Sequence, residues 1–287
     1  MKKKLFLSII LISLISSSLI IIIFSDFSEN SSIFNENIYF IIENYMNKDF
    51  SDVELGNEFH TKKLKALNGV IWHFYQSNNT NIQIAEFNNK VVAIFIKSNK
   101  LNELEISKRL RIYKNTVKIN YANFEETLYL DDNSKTVNSS LRISDNLKSK
   151  YDILFSDERI YNEQILFLIN HERTIRKIKE LEKNKKLYLV SKKYSCNMLR
   201  NNFFSHIDDQ GKSPMERLEE KGYKFELVGE NLVKGEMMTS FHAHNKLMNS
   251  YGHKKNILNN DYTHNNVGST LIDGKIFVCE IFVKIDY

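Results

Sequence analysis

Proline and cysteine are nearly absent from this chain of 287 residues, which contains one proline and two cysteines. The cysteines, Cys196 and Cys279, stand alone in apolar contexts, where a buried free thiol is more common than a bridge. Export from the cytoplasm would permit a disulfide. We therefore predict two free thiols, with a bridge between them as the less favoured alternative.

The N-terminal apolar run lacks the marks of two kinds of processed leader. Lysines at positions 2–4 precede an uncharged run from Leu5 to Phe24, which has the character of an export signal and the length of a membrane-spanning helix. No cysteine ends the run, which argues against a lipoprotein anchor, and no Ala-x-Ala site follows it. We favour an uncleaved anchor within residues 1–25, with the remaining chain outside the cytoplasm. Cleavage near Ser25 is the alternative.

The chain also lacks a basic block. Its 40 Lys and Arg residues and 35 Asp and Glu residues give a net charge of +5, and these charges are spread along the sequence. No nucleic-acid motif accompanies them, and a charge run such as Lys177–Lys186 more often forms a solvated helix face than a binding patch. We therefore expect no nucleic-acid partner.

Composition and periodicity divide the chain into four parts. Residues 1–25 form the signal peptide or anchor, and residues 26–51, which are rich in Asn and Ser, are predicted to be a tether. Residues 52–150 are predicted to form a small, mostly β module that ends in a linker. Residues 156–287 are predicted to form a separate α+β unit, because several helices there are followed by an antiparallel hairpin.

Within the predicted module, alternating apolar residues indicate half-buried strands. These strands are Val70–Tyr75, Asn81–Phe87, Lys90–Ile96 and Phe124–Leu130. Asn88 and Asn89 have the turn chemistry of a tight hairpin. Short helices are predicted around Phe59–Leu67 and over Leu101–Leu110, and a linker over Asn138–Tyr151.

In the C-terminal unit, apolar residues recur at three- to four-residue steps, which indicates amphipathic helices. The predicted helices are Glu163–Arg173 with a possible extension to Leu181, Leu187–Asn201, a segment from Ser213 to Gly222, and Thr239–Asn249. The third begins with a serine N-cap and Pro214, and ends at a C-cap glycine. Asp273 and Gly274 predict a hairpin between Val267–Leu271 and Lys275–Val283.

Four short phrases in this unit carry its chemistry. They are Phe-Phe-Ser-His ending at His206, Ser-Pro-Met-Glu-Arg-Leu from Ser213, Gly-Glu-Asn from Gly229, and Gly-His-Lys-Lys-Asn-Ile-Leu from Gly252. Taken singly, His206 would more often be a packing residue, Glu230 a cap and His253 a turn residue. Occurring together beside small residues, they predict one polar cleft assembled from distant segments.

These phrases resemble the CAP superfamily, the SCP-like domain of cysteine-rich secretory and pathogenesis-related proteins, in its bacterial extracellular branch. The matching residues are Asn170 and Glu172, residues 204–206, residues 213–218 with Gly222 and Tyr223, residues 229–231, residues 250–258, and residues 266–268. The resemblance implies an α-β-α sandwich over about 130 residues. A fainter likeness to a CAP-associated N-terminal module covers Ile71–Tyr75 and Phe87–Ile94, where core packing of Trp72 is favoured over an exposed platform.

The family's cleft commonly holds two histidines and two acidic residues. The resemblance therefore implies a ligand cleft formed by His206, Glu230, Asn231, Ser250, His253 and Asn256. Ser250 stands where the plant and animal branch has the second acid, which weakens the case for catalysis and for tight metal binding. Leu247 and Tyr251 depart from the usual tryptophan and proline, which predicts a repacked wall beside His253.

Two imidazoles and one carboxylate suit more than one role. His206, Glu230 and His253 could bind Zn²⁺ weakly, with an open fourth position, or perform acid–base catalysis. They could also be a structural polar network, and the compact His-Glu-x-x-His metal motif is missing. No cofactor is expected to be required. Three further histidines near the phrases are predicted to be surface or packing residues. They are His242, His244 and His264.

The leading functional expectation is an extracytoplasmic protein, membrane-anchored or secreted, that acts as a binding module at the cell envelope. Its ligand would be a lipid, a peptide, a wall fragment or another protein. One alternative is a metal-assisted or acid–base hydrolase or peptidase that uses the three-residue cleft. The other is a purely structural envelope protein.

Overall fold

The computed structural model describes residues 45–55, 60–77, 79–98, 101, 112, 115–131, 136–145 and 157–285. These residues belong to one compact unit, Tyr45–Tyr287. The predicted leader, residues 26–44 of the predicted tether and nearly all of the helix predicted over Leu101–Leu110 lie outside the described residues. Within the described residues, no helix has both the length and the apolar character needed to cross a membrane.

The first half of the unit is one antiparallel sheet. Its strands are β1 (His60–Lys65), β2 (Ile71–Gln76), β3 (Thr80–Phe87), β4 (Lys90–Ser98), β5 (Thr116–Asn120), β6 (Phe124–Leu130) and β7 (Val137–Ser144). The order across this seven-stranded sheet is β1-β2-β3-β4-β7-β6-β5. The four strands predicted from alternation are confirmed, and Trp72 is fully buried, as core packing predicts.

Two predictions in this half are wrong. The segment predicted as a helix around Phe59–Leu67 is strand β1, which pairs with β2 along its whole length. A turn closed by Ala66 N–H on Val70 O, with Gly69 at φ +88°, joins the two strands. The segment predicted as a linker from Asn138 is strand β7, which lies between β4 and β6. Backbone hydrogen bonds to both neighbouring strands stabilise β7. Its polar side chains had not indicated a strand.

A second sheet and five helices form the rest of the unit. The strands are β8 (Glu182–Lys183), β9 (Leu227–Glu236), β10 (His264–Ile272) and β11 (Lys275–Lys284), in the order β8-β10-β11-β9. The helices are α1 (Glu158–Thr174), α2 (Lys185–Arg200), α3 (Pro214–Glu219), α4 (Ser240–Met248) and α5 (Tyr251–Ile257). The four helices and the hairpin predicted here are confirmed within a few residues, and α1 ends at Thr174 instead of continuing to Leu181.

Alternation along β11 shows why the second sheet has helices on both faces. Ile276, Val278 and Phe282 belong to a core that includes residues of α1, α4 and α5. The intervening side chains of β11, such as Phe277 and Ile281, belong to a second core formed with α2 and α3. This period-2 burial on both faces gives the α-β-α arrangement.

Helices α1 and α4 also cover the seven-stranded sheet. Leu168 of α1 and Phe241 of α4 are buried in a core with Trp72 and Phe95, and the Phe95 and Phe241 rings stack with centroids 4.0 Å apart. The same helical layer is therefore packed between two sheets. Because apolar surface is buried on both sides of this layer, the two sheets are held in one compact unit.

A capping box starts α3, the helix that carries Arg217. The Ser213 hydroxyl accepts from Glu216 N–H, and the Glu216 carboxylate accepts from Ser213 N–H. We expect Ser213→Ala to lower the free energy of unfolding by about 1 kcal/mol, the usual value of an N-cap. Urea denaturation would measure it, and Ser51→Ala, at an exposed serine of the short 3₁₀ helix Phe50–Asp52 that caps no helix, should change the midpoint by much less.

Candidate functional site

Glu230 is the centre of the predicted cleft. It lies on β9, and its side chain is only 1% exposed. One carboxylate oxygen, Oε1, is 2.8 Å from Nδ1 of His206, and the other, Oε2, accepts from Nη2 of Arg217 at 2.5 Å. The Cys279 thiol contacts the same Oε2 at 3.4 Å. Both oxygens of this buried carboxylate are therefore engaged within the protein.

Arg217 balances the buried carboxylate. Its side chain is 8% exposed, and its Nη1 donates to the backbone oxygens of His206 and Lys212. The guanidinium carbon lies 3.5 Å from the centroid of the Tyr194 ring, a cation–π contact. Arg217 belongs to the Ser-Pro-Met-Glu-Arg-Leu phrase, but the sequence predicted no role for it. Its place within the phrase was the one feature of the sequence that could have indicated a role for Arg217. Its partner, Glu230, could be identified only once the fold was known.

His206 carries the functional potential of this pair. Its ring is 53% exposed although the carboxylate beneath it is buried. In the neutral tautomer with the proton on Nδ1, the ring donates to Glu230 and presents Nε2 as an acceptor on the exposed side. The pair thus orients an imidazole toward the solvent, which is a binding geometry as well as the geometry of a general base.

His253 and Ser250 belong to the N-terminal end of α5. Ser250 is the N-cap residue of α5, and its side chain makes no capping bond. Burial lowers the pKa of His253 below its ordinary value, and the neighbouring His206 imidazole lowers it further. The cleft therefore presents His253 as a neutral ring near pH 7. Tyr251, where the resemblance predicted a repacked wall, is 87% exposed.

Asn231 and Asn256 brace the cleft instead of lining it with free donors. The Asn256 amide donates to the backbone oxygen of Glu230 at 3.2 Å and to the side-chain oxygen of Asn231 at 2.9 Å. Asn231 in turn donates to the backbone oxygen of His253 and to the carboxylate of Glu280. These bonds connect β9, β11 and α5, so that His253 is held beside the strand that carries Glu230, the partner of His206.

The close approach at Gly229 explains the small residue beside Glu230. A Cβ at this position would lie 2.2 Å from the hydroxyl oxygen of Tyr262 and 3.3 Å from the amide oxygen of Asn256. Any larger residue would therefore push these two side chains away from the strand. The glycine of the Gly-Glu-Asn phrase is therefore required by packing.

The other predicted packing histidines are buried or half-buried. His244 is buried next to Glu172, with 3.7 Å between Nε2 and Oε1. The ring of His242 packs edge-on against Tyr129, and His264 is buried with its Nδ1 2.9 Å from the Thr263 hydroxyl. Packing accounts for all three.

The two cysteines are free thiols. Cys279 is fully buried, and this burial, followed by the adjacent Glu230 carboxylate, raises its pKa well above the ordinary thiol value. Cys196 is partly exposed on α2. The structure therefore agrees with the favoured prediction of two unpaired cysteines.

The contacts of Glu230 determine whether it could act as a zinc ligand. Among the described residues, no group of three or more His, Cys, Asp or Glu side chains is arranged to hold a metal ion. Glu230 is bound to Arg217 and His206 through both of its oxygens, so it fits the place of an orienting partner for His206 and not that of a third ligand. Weak zinc binding stays a prediction, with the two imidazoles as its ligands.

Two Bacillus subtilis proteins are similar to this chain in sequence. "Uncharacterized protein YkwD" is 33% identical over 108 residues, which cover 38% of this chain and 42% of that protein. "Uncharacterized membrane protein YlbC" is 27% identical over 263 residues, which cover 74% of each chain. This chain thus spans less than half of the length of YkwD. No family model matches the chain.

Two solved structures share the fold. An extracellular protein containing an SCP domain from Bacillus anthracis superposes with a TM-score of 0.64 at 18% identity, covering 92% of this chain and all of that one. A cysteine-rich secretory protein from Staphylococcus aureus superposes with a TM-score of 0.59 at 13% identity, covering 84% of this chain and 94% of that one. The chain therefore has the fold of the bacterial CAP superfamily, whose SCP domain the resemblance predicted.

Proposed function

We propose that this protein is an extracytoplasmic CAP-domain protein that binds a ligand at the cell envelope through the cleft between His206 and His253. The observation that carries the proposal is the engagement of both Glu230 oxygens, by His206 and by Arg217. A carboxylate held in this way orients an imidazole but is not free to shuttle protons. The extracellular SCP-domain protein of Bacillus anthracis supports the location.

The cleft is built to recognise polar groups. His206 presents a ring nitrogen on its exposed side. The hydroxyl of Ser250, at the start of α5, makes no capping hydrogen bond. Phe204, which is 39% exposed, and Ile207, which is 48% exposed, flank His206. Hydrogen-bonding groups beside exposed apolar side chains suit a peptide or a wall fragment, which offer both kinds of surface.

The membrane attachment is part of the same proposal. The lysines before the apolar run Leu5–Phe24 would stay inside the cell, and the run itself would anchor the protein. YlbC, described as a membrane protein, supports this arrangement. An anchored binding module would work close to the membrane face of the envelope.

The test compares the full-length protein with the double variant His206→Ala/His253→Ala on two probes, purified peptidoglycan and casein. We expect the variant to bind its probe roughly tenfold or more weakly, since two hydrogen bonds worth about 1 kcal/mol each are lost. Cosedimentation measures binding, and release of soluble fragments measures turnover. Lys255→Ala, an exposed residue of the same helix as His253, is the control and should bind normally.

The same experiment separates binding from hydrolysis. Fragment release by the native protein that is lost in the double variant, with an unchanged melting temperature, would replace binding by catalysis. The oriented His206 imidazole is the one observation that favours this second function. Equal binding by the native protein and the double variant would remove the cleft from the function altogether, as the purely structural alternative requires.

A further inference from the structure

A second polar cleft lies at the junction of the seven-stranded sheet with the helices α1 and α5. It is small and partly open to solvent, with a volume of about 90 Å³. Six of its polar lining side chains are Lys97, Asn138, Glu172, Arg176, Asn249 and Lys254. They come from β4, β7, α1, the turns after α1 and α4, and α5, so the cleft exists only because the two sheets share one helical layer.

The charges in this cleft are unequal. Glu172, with a side chain only 2% exposed, faces two cations at once: Lys97 Nζ lies 2.8 Å from Oε1, and Arg176 pairs with Oε2. Lys254 adds a third cation to the lining, and Asp131 adds a second acid. Three full positive charges therefore stand against two negative charges in a partly desolvated space.

The nearby histidines do not alter this balance. His171 and His244 are buried on α1 and α4 beside Glu172. Burial lowers the pKa of His171 to about 3 and also lowers that of His244. Both rings are neutral near pH 7, so the excess of positive charge comes from the lysines and the arginine.

Donors remain for a ligand after the internal bonds are counted. Both bonds from Arg176 to Glu172, to its backbone oxygen and to its carboxylate, use Nη1. Nη2 of Arg176 donates to no acceptor among the described residues. Lys97 gives one of its three ammonium protons to Glu172, and Lys254 forms no ion pair with an acid in the part of the chain that the structure describes. These groups form a cluster of N–H donors with too few acceptors.

From this cluster we propose that the junction cleft binds a phosphate group, held by Arg176 and Lys254 with Lys97 beneath. Charge-assisted bonds from a guanidinium and ammonium groups are the usual means of holding phosphate oxygens. A phosphate would add the negative charge that Glu172 and Asp131 do not supply. The site is separate from the cleft of His206 and His253, and its failure or success is independent of the proposed function.

The phosphate could be free or part of a polymer of the envelope, and the experiment has an arm for each. Calorimetry with the full-length protein uses inorganic phosphate in one arm and the diester glycerophosphoglycerol in the other, at constant ionic strength. Tighter binding of the diester than of inorganic phosphate identifies a polymer site, and the reverse order identifies a free phosphate site. Either order supports the proposal.

The matched variants are two neighbouring lysines of α5. Lys254 lines the cleft, whereas Lys255 is exposed elsewhere on the helix. We expect Lys254→Gln to weaken phosphate binding about tenfold, the loss of one charge-assisted bond, and Lys255→Gln to leave it within twofold. Arg176→Gln should weaken it at least as much, and its melting temperature shows whether the fold is kept.

Two results would overturn the proposal. One is the lack of any heat of binding up to 10 millimolar of either probe, far above the range expected of a built phosphate site. The other is equal binding by the Lys254→Gln and Lys255→Gln proteins, which would place the anion on the general positive surface of the chain.

Discussion

Replacing Arg217 with methionine is expected to lower the free energy of unfolding by about 3–5 kcal/mol, the cost of leaving a buried charge without its partner. The partner is Glu230, whose side chain is 1% exposed. The arginine also holds the backbone oxygens of His206 and Lys212. Its loss therefore removes an ion pair and frees the loop that carries His206.

The double variant Arg217→Met/Glu230→Gln is the control for this interpretation. A neutral amide at position 230 removes the unpaired charge, so the double variant should regain most of the stability that the single variant loses. Chemical denaturation of the four proteins of the cycle measures the coupling between the two residues. Additive losses, with no recovery in the double variant, would show that Arg217 stabilises the fold by packing on Tyr194 and not through Glu230.

The same pair shows how far the sequence could predict the site. The joint occurrence of His206, Glu230 and His253 predicted a shared cleft, and the contact between His206 and Glu230 is there at 2.8 Å. Arg217 and Cys279 were not predicted to contact Glu230. These contacts depend on the register of β9 with β11 and on the packing of α3, which sequence spacing does not determine.

The fold was predictable where burial follows one periodicity. Burial alternates along β2, where Trp72 and Phe74 are buried, and the apolar residues of the helices recur every three to four residues. Strand β1 was not predicted because it is an edge strand whose sequence shows little apolar alternation. It carries lysines at positions 62, 63 and 65. Strand β7 was not predicted because its serine-rich sequence has the composition of a loop. Ser139 and Ser140 are nevertheless buried.

The role of Glu172 illustrates the limit of a motif match. The resemblance placed Glu172 among the matching residues of the first helix, yet it contacts Lys97 of β4 and Arg176, away from His206. Its surroundings belong to the junction of the two sheets. Only a structure that includes both sheets shows that this acid serves a second cleft.

Glu280 is expected to make the stability of this protein fall as the pH rises. It lies on β11, fully buried, and burial raises its pKa to about 8 from an ordinary value of 4.5. Asn231 donates to Oε2 at 3.0 Å and partly opposes the shift, whereas Oε1 has no hydrogen-bond partner. The folded protein thus keeps this carboxyl protonated at a pH where the unfolded chain ionises it.

The sign follows from proton binding. Between about pH 4.5 and pH 8 the folded state holds one more proton at Glu280 than the unfolded state does, so the free energy of unfolding decreases through this range. One pKa unit corresponds to about 1.4 kcal/mol, which gives a total loss on the order of 4–5 kcal/mol above pH 8. Below pH 4.5 both states are protonated, and Glu280 contributes no pH dependence there.

Glu280→Gln isolates this contribution, because glutamine keeps the shape and the acceptor for Asn231 but does not titrate. The buried histidines, such as His171 with a pKa of about 3, act in the opposite direction by favouring the folded state as pH rises toward neutrality. They are common to both proteins and cancel in the difference. We expect the variant to be similar to the native protein at pH 4 and more stable by about 3 kcal/mol at pH 7. Urea denaturation at pH 4, 5.5, 7 and 8.5 measures this difference, and parallel profiles would show that Glu280 ionises inside the folded protein at its ordinary pKa.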